Sequence, residues 1–198
     1  MQGKQFCLLF LVVGMAEAIR ISLSVDAVKE QCKGEPKFCT GQALNGMCSG
    51  ADQTARAVRK YCPCTCDRVL YHRLQTCCDT VGDRNLRFCL PLCRYNTTVE
   101  EIATPLGFKC LSQLQVWVYC AADKQSALGC CQRKRVPAKC LPFCRGKLPT
   151  CQTQKLFKYK GCLNHIQKIM QCHEQGLKPQ PQWDPAWKGQ CEKGIDTD

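Results

Sequence analysis

The sequence predicts a small disulfide-rich, mainly α-helical protein: two similar helical half-repeats form one module, preceded by a small, separate cysteine cluster. Three observations predict it. The chain carries 21 cysteines in 198 residues, a density that belongs to small crosslinked scaffolds. Twelve of those cysteines spell one framework twice. Between them, apolar residues recur at three- and four-residue steps, the spacing of a helix with one buried face.

The repeat lies between Cys77 and Cys172. Its first copy runs Cys77, Cys78, Cys89, Cys93, Cys110, Cys120, and its second runs Cys130, Cys131, Cys140, Cys144, Cys162, Cys172. Matching positions are 53, 53, 51, 51, 52 and 52 residues apart. A period held over six positions marks a repeated structural unit. The string Cys89-Leu90-Pro91-Leu92-Cys93-Arg94 returns as Cys140-Leu141-Pro142-Phe143-Cys144-Arg145. Half-repeats are therefore expected at 77–129 and 130–175, within a module spanning 77–175.

Each copy ends in a C-x9-C segment. Leu111, Leu114, Val118 and Ala121 make one apolar stripe, and Leu163, Ile166 and Met170, with Cys162 and Ile169 beside them, make the other. Both segments are expected to be amphipathic helices stapled at their two ends. Cys89 and Cys93, like Cys140 and Cys144, are four residues apart and would share a helix face aimed at a common partner element. Pro91 and Pro142 place a helix start or bend between them. Adjacent cysteines do not readily bond each other, so Cys77-Cys78 and Cys130-Cys131 are each expected to send bonds in two directions. Six cysteines allow 15 connectivities, and the spacing selects none of them.

The run Cys110 to Cys120, then Ala121-Ala122-Asp123, Cys130-Cys131, Val136-Pro137 and Cys140-Leu-Pro-Phe-Cys144-Arg-Gly146, resembles the DB module. That is a twelve-cysteine domain of secreted and cell-surface nematode proteins with no established biochemical role. The resemblance covers roughly half the chain. It departs after Asp123, where Lys124, Gln125 and Ser126 stand at positions where the family commonly has glycine and aspartate. It implies a disulfide framework and an extracellular setting, and it implies no ligand.

Upstream, Cys32, Cys39, Cys48, Cys62, Cys64 and Cys66 form a second set over 32–66. The order Cys32-x6-Cys39-x8-Cys48, with Gly46 two residues before the third cysteine, and the ending Tyr61-Cys62-Pro63-Cys64-Thr65-Cys66 resemble the ShKT module. In that family the last three cysteines usually follow C-x3-C-x2-C. Here Cys62 and Cys66 fit the first two and the third falls on Val69, so either Cys64 takes over that bridge or the resemblance is only partial. The Lys-Tyr pair that lets the toxin of this family block channels sits midway between the third and fourth cysteines, where this chain has Gln53 and Thr54. Lys60-Tyr61 abuts Cys62 instead, so those functional residues do not carry over. Ala51 to Lys60 reads as a short helix with Ala55, Val58 and Tyr61 inward. The linker Asp67 to Thr76 reads as a helix leading into Cys77.

Residues 1–18 have the parts of a secretory signal: Lys4, an apolar run from Phe6 to Met15, and Ala16-Glu17-Ala18. That run is too short to span a bilayer, which takes about 20 apolar residues. Cleavage after Ala18 removes Cys7 and leaves 20 cysteines, an even number that can all pair. A short segment, 19–31, then precedes the first cluster. The net charge of +12 is unchanged by cleavage, since Lys4 and Glu17 leave together. The expected product is secreted and extracellular, with no membrane span. Its charge favours acidic partners such as a sulfated glycan or an acidic patch on an extracellular protein receptor, and nucleic acid is not among the expected partners.

Asn96-Thr97-Thr98 is the chain's one N-x-S/T sequon, which predicts a glycosylated loop at Asn96. Lys155, Lys158 and Lys160, interleaved with Phe157 and Tyr159, are the leading anion-binding candidates, because charge and ring stacking alternate there. Arg133, Lys134 and Arg135 are a second basic run. Cys151 and Cys191 stand outside the twelve and by elimination are candidates to bond each other, tethering the irregular tail 176–198 to the second half. The histidines, His72, His165 and His173, have no spacing that pairs them with a nucleophile or builds a zinc site. No catalytic residue, metal ligand or cofactor is therefore expected. The predicted function is a non-enzymatic extracellular interaction protein. The alternative is an effector that blocks a channel or inhibits a protease through 32–66.

Overall fold

The computed structural model describes residues 28–150 and 152–189. The expected signal segment 1–18, most of 19–31, Cys151 and Cys191 lie outside the described residues. Short helices and 3-10 turns make up the regular structure there.

The first cluster holds α1 (Phe38–Leu44) and α2 (Gln53–Tyr61). The Asp52 side chain starts α2 by accepting a hydrogen bond from the Ala55 backbone N–H at 2.8 Å, which satisfies one of the unpaired donors at a helix start. Ala55 and Val58 are buried, but Tyr61 is 64% exposed, contrary to its expected inward place. The next position on the Ala55–Val58 stripe is Cys62, which is fully buried and bonded to Cys39, so the stripe bypasses Tyr61.

The longest helix, α3, runs 19 residues from Pro63 to Val81, about 28 Å at 1.5 Å per residue. Pro63 suits the first turn, where its missing N–H would be unpaired anyway. The Cys64 and Thr65 N–H groups donate to the Glu35 carboxylate at 2.5 and 3.0 Å, so a distant acid caps the helix. Cys66, Leu70, Leu74 and Cys77 make the buried face. Segment 67–76 is thus the middle of one helix that carries cysteines of both the first cluster and the first half-repeat.

The first half-repeat continues through a 3-10 segment, Arg84–Leu92, then α4 (Val99–Ile102), α5 (Pro105–Lys109), a 3-10 turn (Leu111–Gln113) and α6 (Leu114–Ala122). The second contains α7 (Leu128–Arg133), a 3-10 turn (Ala138–Cys140), α8 (Leu141–Cys144), α9 (Thr153–Leu156), a 3-10 segment (Phe157–His165) and α10 (Ile166–Gly176). The two C-x9-C segments are therefore not α-helical throughout. Each opens in 3-10 conformation and becomes α-helical at Leu114 or Ile166, a common arrangement at helix starts.

Two apolar clusters meet at the seam of the half-repeats. In one, Leu74, Trp117, Ala121, Ile166 and Met170 join α3, α6 and α10. In the other, Val118 of α6 packs with Phe143, Leu148 and Ile169 of the second half. A third cluster fills the N-terminal unit and takes in Leu177 from beyond α10.

Candidate functional site

Nine disulfides link the described cysteines. In the first half-repeat Cys77 bonds Cys120, Cys78 bonds Cys93, and Cys89 bonds Cys110. In the second, Cys130 bonds Cys172, Cys131 bonds Cys144, and Cys140 bonds Cys162. Both copies therefore use one pattern: first to sixth, second to fourth, third to fifth. The expectation that Cys89 and Cys93 share a partner element is corrected. Cys89 reaches the end of α5 while Cys93 reaches α3, and Cys140 and Cys144 diverge in the same way. For Cys89 and Cys93 the reason is the local winding: Arg84–Leu92 is 3-10, and at three residues per turn side chains four apart lie about 120° apart rather than one above the other. Cys140 ends a 3-10 turn and Cys144 ends α8, so the winding changes between them.

In the N-terminal set Cys32 bonds Cys64, Cys39 bonds Cys62, and Cys48 bonds Cys66. All three bonds stay within the cluster.

The expected Cys151–Cys191 tether of the tail falls outside the described residues. Residues 177–187 cross the N-terminal unit and the first half-repeat. Leu177 packs with Val58 and Leu70. Pro179 lies where a side chain on Gly46 would have to go, 2.6 Å from the position of its missing Cβ, and Gly46 has φ +75°, so conformation and close approach both demand glycine there. Trp187 stacks on Tyr119 at 4.0 Å between ring centroids. Arg73 of α3 organises the crossing. One guanidinium nitrogen donates to Ser49 Oγ and to the carbonyls of Lys178 and Pro179, and the other donates to the Gln180 carbonyl and the Asp123 carboxylate. Asp123, in left-handed conformation at φ 49°, also accepts from the Gln182 and Trp183 N–H groups at 2.8 and 3.0 Å. Sequence reasoning missed this node, because its two ends are fifty residues apart. The available signal was Asp123 at the end of an apolar helix, a position suited to a left-handed cap.

The predicted surface residues lie on different elements. Lys158 and Lys160 are exposed on the 3-10 segment after α9, and Phe157 between them is 55% exposed. Arg133, Lys134 and Arg135 lie at the end of α7, where Lys134 Nζ donates to Gln171 of α10 at 2.7 Å. Asn96 is exposed, while Thr98 of its sequon caps α4: its hydroxyl accepts from Glu101 N–H, and the Glu101 carboxylate accepts from Thr98 N–H. Asn96 borders a polar cleft of about 520 Å³ between α3 and α10, shared with Arg68, Arg94, Asp67 and Glu174. Burial holds the Glu174 carboxyl above the usual range, with Asp67 adding to the shift and Arg59 opposing it. Burial likewise raises Asp67.

The histidines are scattered. His72 sits on α3 beside Thr76, and His165 precedes α10. His173 is buried on α10 with Nε2 2.9 Å from the Phe143 carbonyl, and burial lowers its pKa to about 4. Among the described residues no group of three or more His, Cys, Asp or Glu side chains could hold a metal ion.

A helical protein with this much covalent stapling and such small apolar clusters belongs to the class of disulfide-supported scaffolds. More particularly, residues 77–173 match the family model of the DB module, a stretch that takes in both half-repeats and stops at the last buried turn of α10. No curated protein and no solved structure matches the chain. No helix among the described residues is long and apolar enough to cross a membrane.

Proposed function

We propose that this is a secreted, non-enzymatic extracellular interaction protein, a rigid frame whose exposed loops bind an acidic partner. The observation that carries the reading is that all 18 cysteines bonded among the described residues close within the chain in three sets of three. Such a framework forms and persists in oxidising surroundings. The match to the DB module and the basic composition support it further. Lys147, Lys155, Lys158 and Lys160 border the second half-repeat's long loop, and a sulfated glycan is the partner class their charge fits best. The sequon at Asn96 then carries a glycan on the opposite half-repeat, away from that loop.

The test is retention of the purified, oxidised protein on immobilised heparan sulfate across a salt gradient. Retention should fall with salt, because exposed charge pairs are screened, and the variant with Lys147, Lys155, Lys158 and Lys160 changed to Glu should elute much earlier. Retention that ignores both salt and these four substitutions overturns the proposal.

A further inference from the structure

The seam between the half-repeats encloses a cavity of about 290 Å³, near the lower end of the range for small-molecule sites, about 300 to 1,000 Å³. Its walls are apolar side chains from both halves, among them Leu114, Phe143, Leu163, Ile166 and Met170. It reaches the surface beside Phe108 and Phe157, which are 57% and 55% exposed. A close-packed interior of this size normally leaves no such void.

Besides Tyr159 and Lys160, two lining residues carry a buried polar atom without a partner. His173, 2% exposed, lines the cavity and its Nδ1 has no hydrogen-bond partner. Its Nε2 faces the Phe143 carbonyl, which can only accept, so the ring proton sits on Nε2 and Nδ1 is a bare acceptor. Trp117, which borders this cavity and a smaller one beside Leu92, likewise has a buried Nε1–H without a partner. Buried polar groups left unpaired are costly and uncommon. Two residues lining the cavity thus carry a buried unpaired acceptor and a buried unpaired donor, the two complements of a hydroxyl group.

We propose that this cavity binds an apolar molecule carrying one hydroxyl group, with the hydroxyl donating to His173 Nδ1. The proposal does not rest on glycan binding, although Phe157, Tyr159 and Lys160 of the lysine-bearing segment line the cavity.

The experiment uses the full oxidised protein and displacement of the neutral fluorescent probe N-phenylnaphthylamine by dodecanol, cholesterol, laurate and dodecyl methyl ether. Dodecanol or cholesterol should displace the probe at one equivalent, and whichever binds more tightly identifies a chain or a ring lipid as the source. Dodecanol should bind about tenfold more tightly than its methyl ether, the worth of one hydrogen bond to a buried group. Leu163→Trp, which fills the cavity, should weaken binding at least about tenfold with all disulfides intact. His173→Phe should bring the alcohol and the ether to similar affinity. Should His173→Phe fail to fold, the ether comparison and Leu163→Trp still decide the matter. Absence of displacement from the wild-type protein, equal affinity for alcohol and ether, unchanged binding in Leu163→Trp, or laurate outcompeting dodecanol would each overturn the proposal. The last result would place a carboxylate on Lys160 at the cavity rim instead.

Discussion

Arg73 on α3 and Asp123 at the end of α6 form an ion pair whose side chains are only 9% and 1% exposed. Both charges are largely withdrawn from water, and the carbonyls and amides of 178–183 supply further partners to the two terminal guanidinium nitrogens and to the carboxylate, while Arg73 Nε has none. Removing one partner leaves the other buried and uncompensated. Arg73→Ala and Asp123→Ala should each lower unfolding free energy by about 3 to 5 kcal/mol. The double variant should lose less than the sum of the two. Limited proteolysis supplies the second readout: either single variant should be cut within 177–187 under conditions that spare the wild type.

Thr98 caps α4 and also completes the Asn96 sequon, at which a glycan is expected. Thr98→Ala should abolish the glycan at Asn96 and also cost about 0.5 to 2 kcal/mol through loss of the α4 cap. Asn96→Gln should abolish the glycan alone, and Thr98→Ser should keep both. Intact mass and thermal midpoints of the three proteins check this. Equal midpoints for Thr98→Ala and Asn96→Gln would remove the capping role.

Stability should fall on the acid side through His173. Its folded pKa of about 4 lies below the ordinary 6.5, so the unfolded chain takes up the proton first. The contribution is intact above about pH 6.5 and is lost as pH falls from there toward 4. Asp67 and Glu174 act the other way: their raised folded pKa values mean stability present below their ordinary values and lost as pH rises past them. Comparing the wild type with His173→Gln isolates the histidine. Their difference in unfolding free energy should be flat above pH 7 and shift against the wild type by up to about 1.4 kcal/mol per pH unit below 6.5. A pH-independent difference would show that His173 protonates equally in both states.

The shared pairing pattern predicts that equivalent staples do equivalent work. Replacing Cys89 and Cys110 together by Ala, or Cys140 and Cys162 together by Ala, should cost a similar amount, about 2 to 4 kcal/mol each. The closed loops differ little, at 21 and 22 residues. Peptide mapping of unreduced protein should return the same first-to-sixth, second-to-fourth and third-to-fifth links in both halves. Mixed links between the halves would contradict the structure.

The features legible in the sequence are those written at short range or with a strict period. Cysteine spacing revealed the duplicated unit, and the stripes Leu114–Val118–Ala121 and Ile166–Ile169–Met170 marked the faces that bury. Local winding was not legible. Helical and 3-10 conformations differ little in residue preference, so the divergence of Cys89 from Cys93 could not be read from spacing. Nor could long-range polar contacts, since Arg73 looks like any solvated residue on a helix until Asp123 and the carbonyls of 178–180 come within reach. The cavity escaped for a related reason. Most residues of its wall read as ordinary core, Phe157, Tyr159 and Lys160 read as a surface run, and only the assembled geometry leaves His173 and Trp117 each with a polar atom unpaired.

Helix α3 carries Cys64 and Cys66 at one end and Cys77 and Cys78 at the other, with no glycine and no further proline between them. The N-terminal unit is therefore joined to the first half-repeat by a stiff rod rather than a swivel. A partner gripping one end would hold the other at a set distance and angle, so that pulling on either would be felt along the whole length. Lengthening the rod by a single residue would turn one end against the other by about 100°, changing which surfaces of the two units share a side.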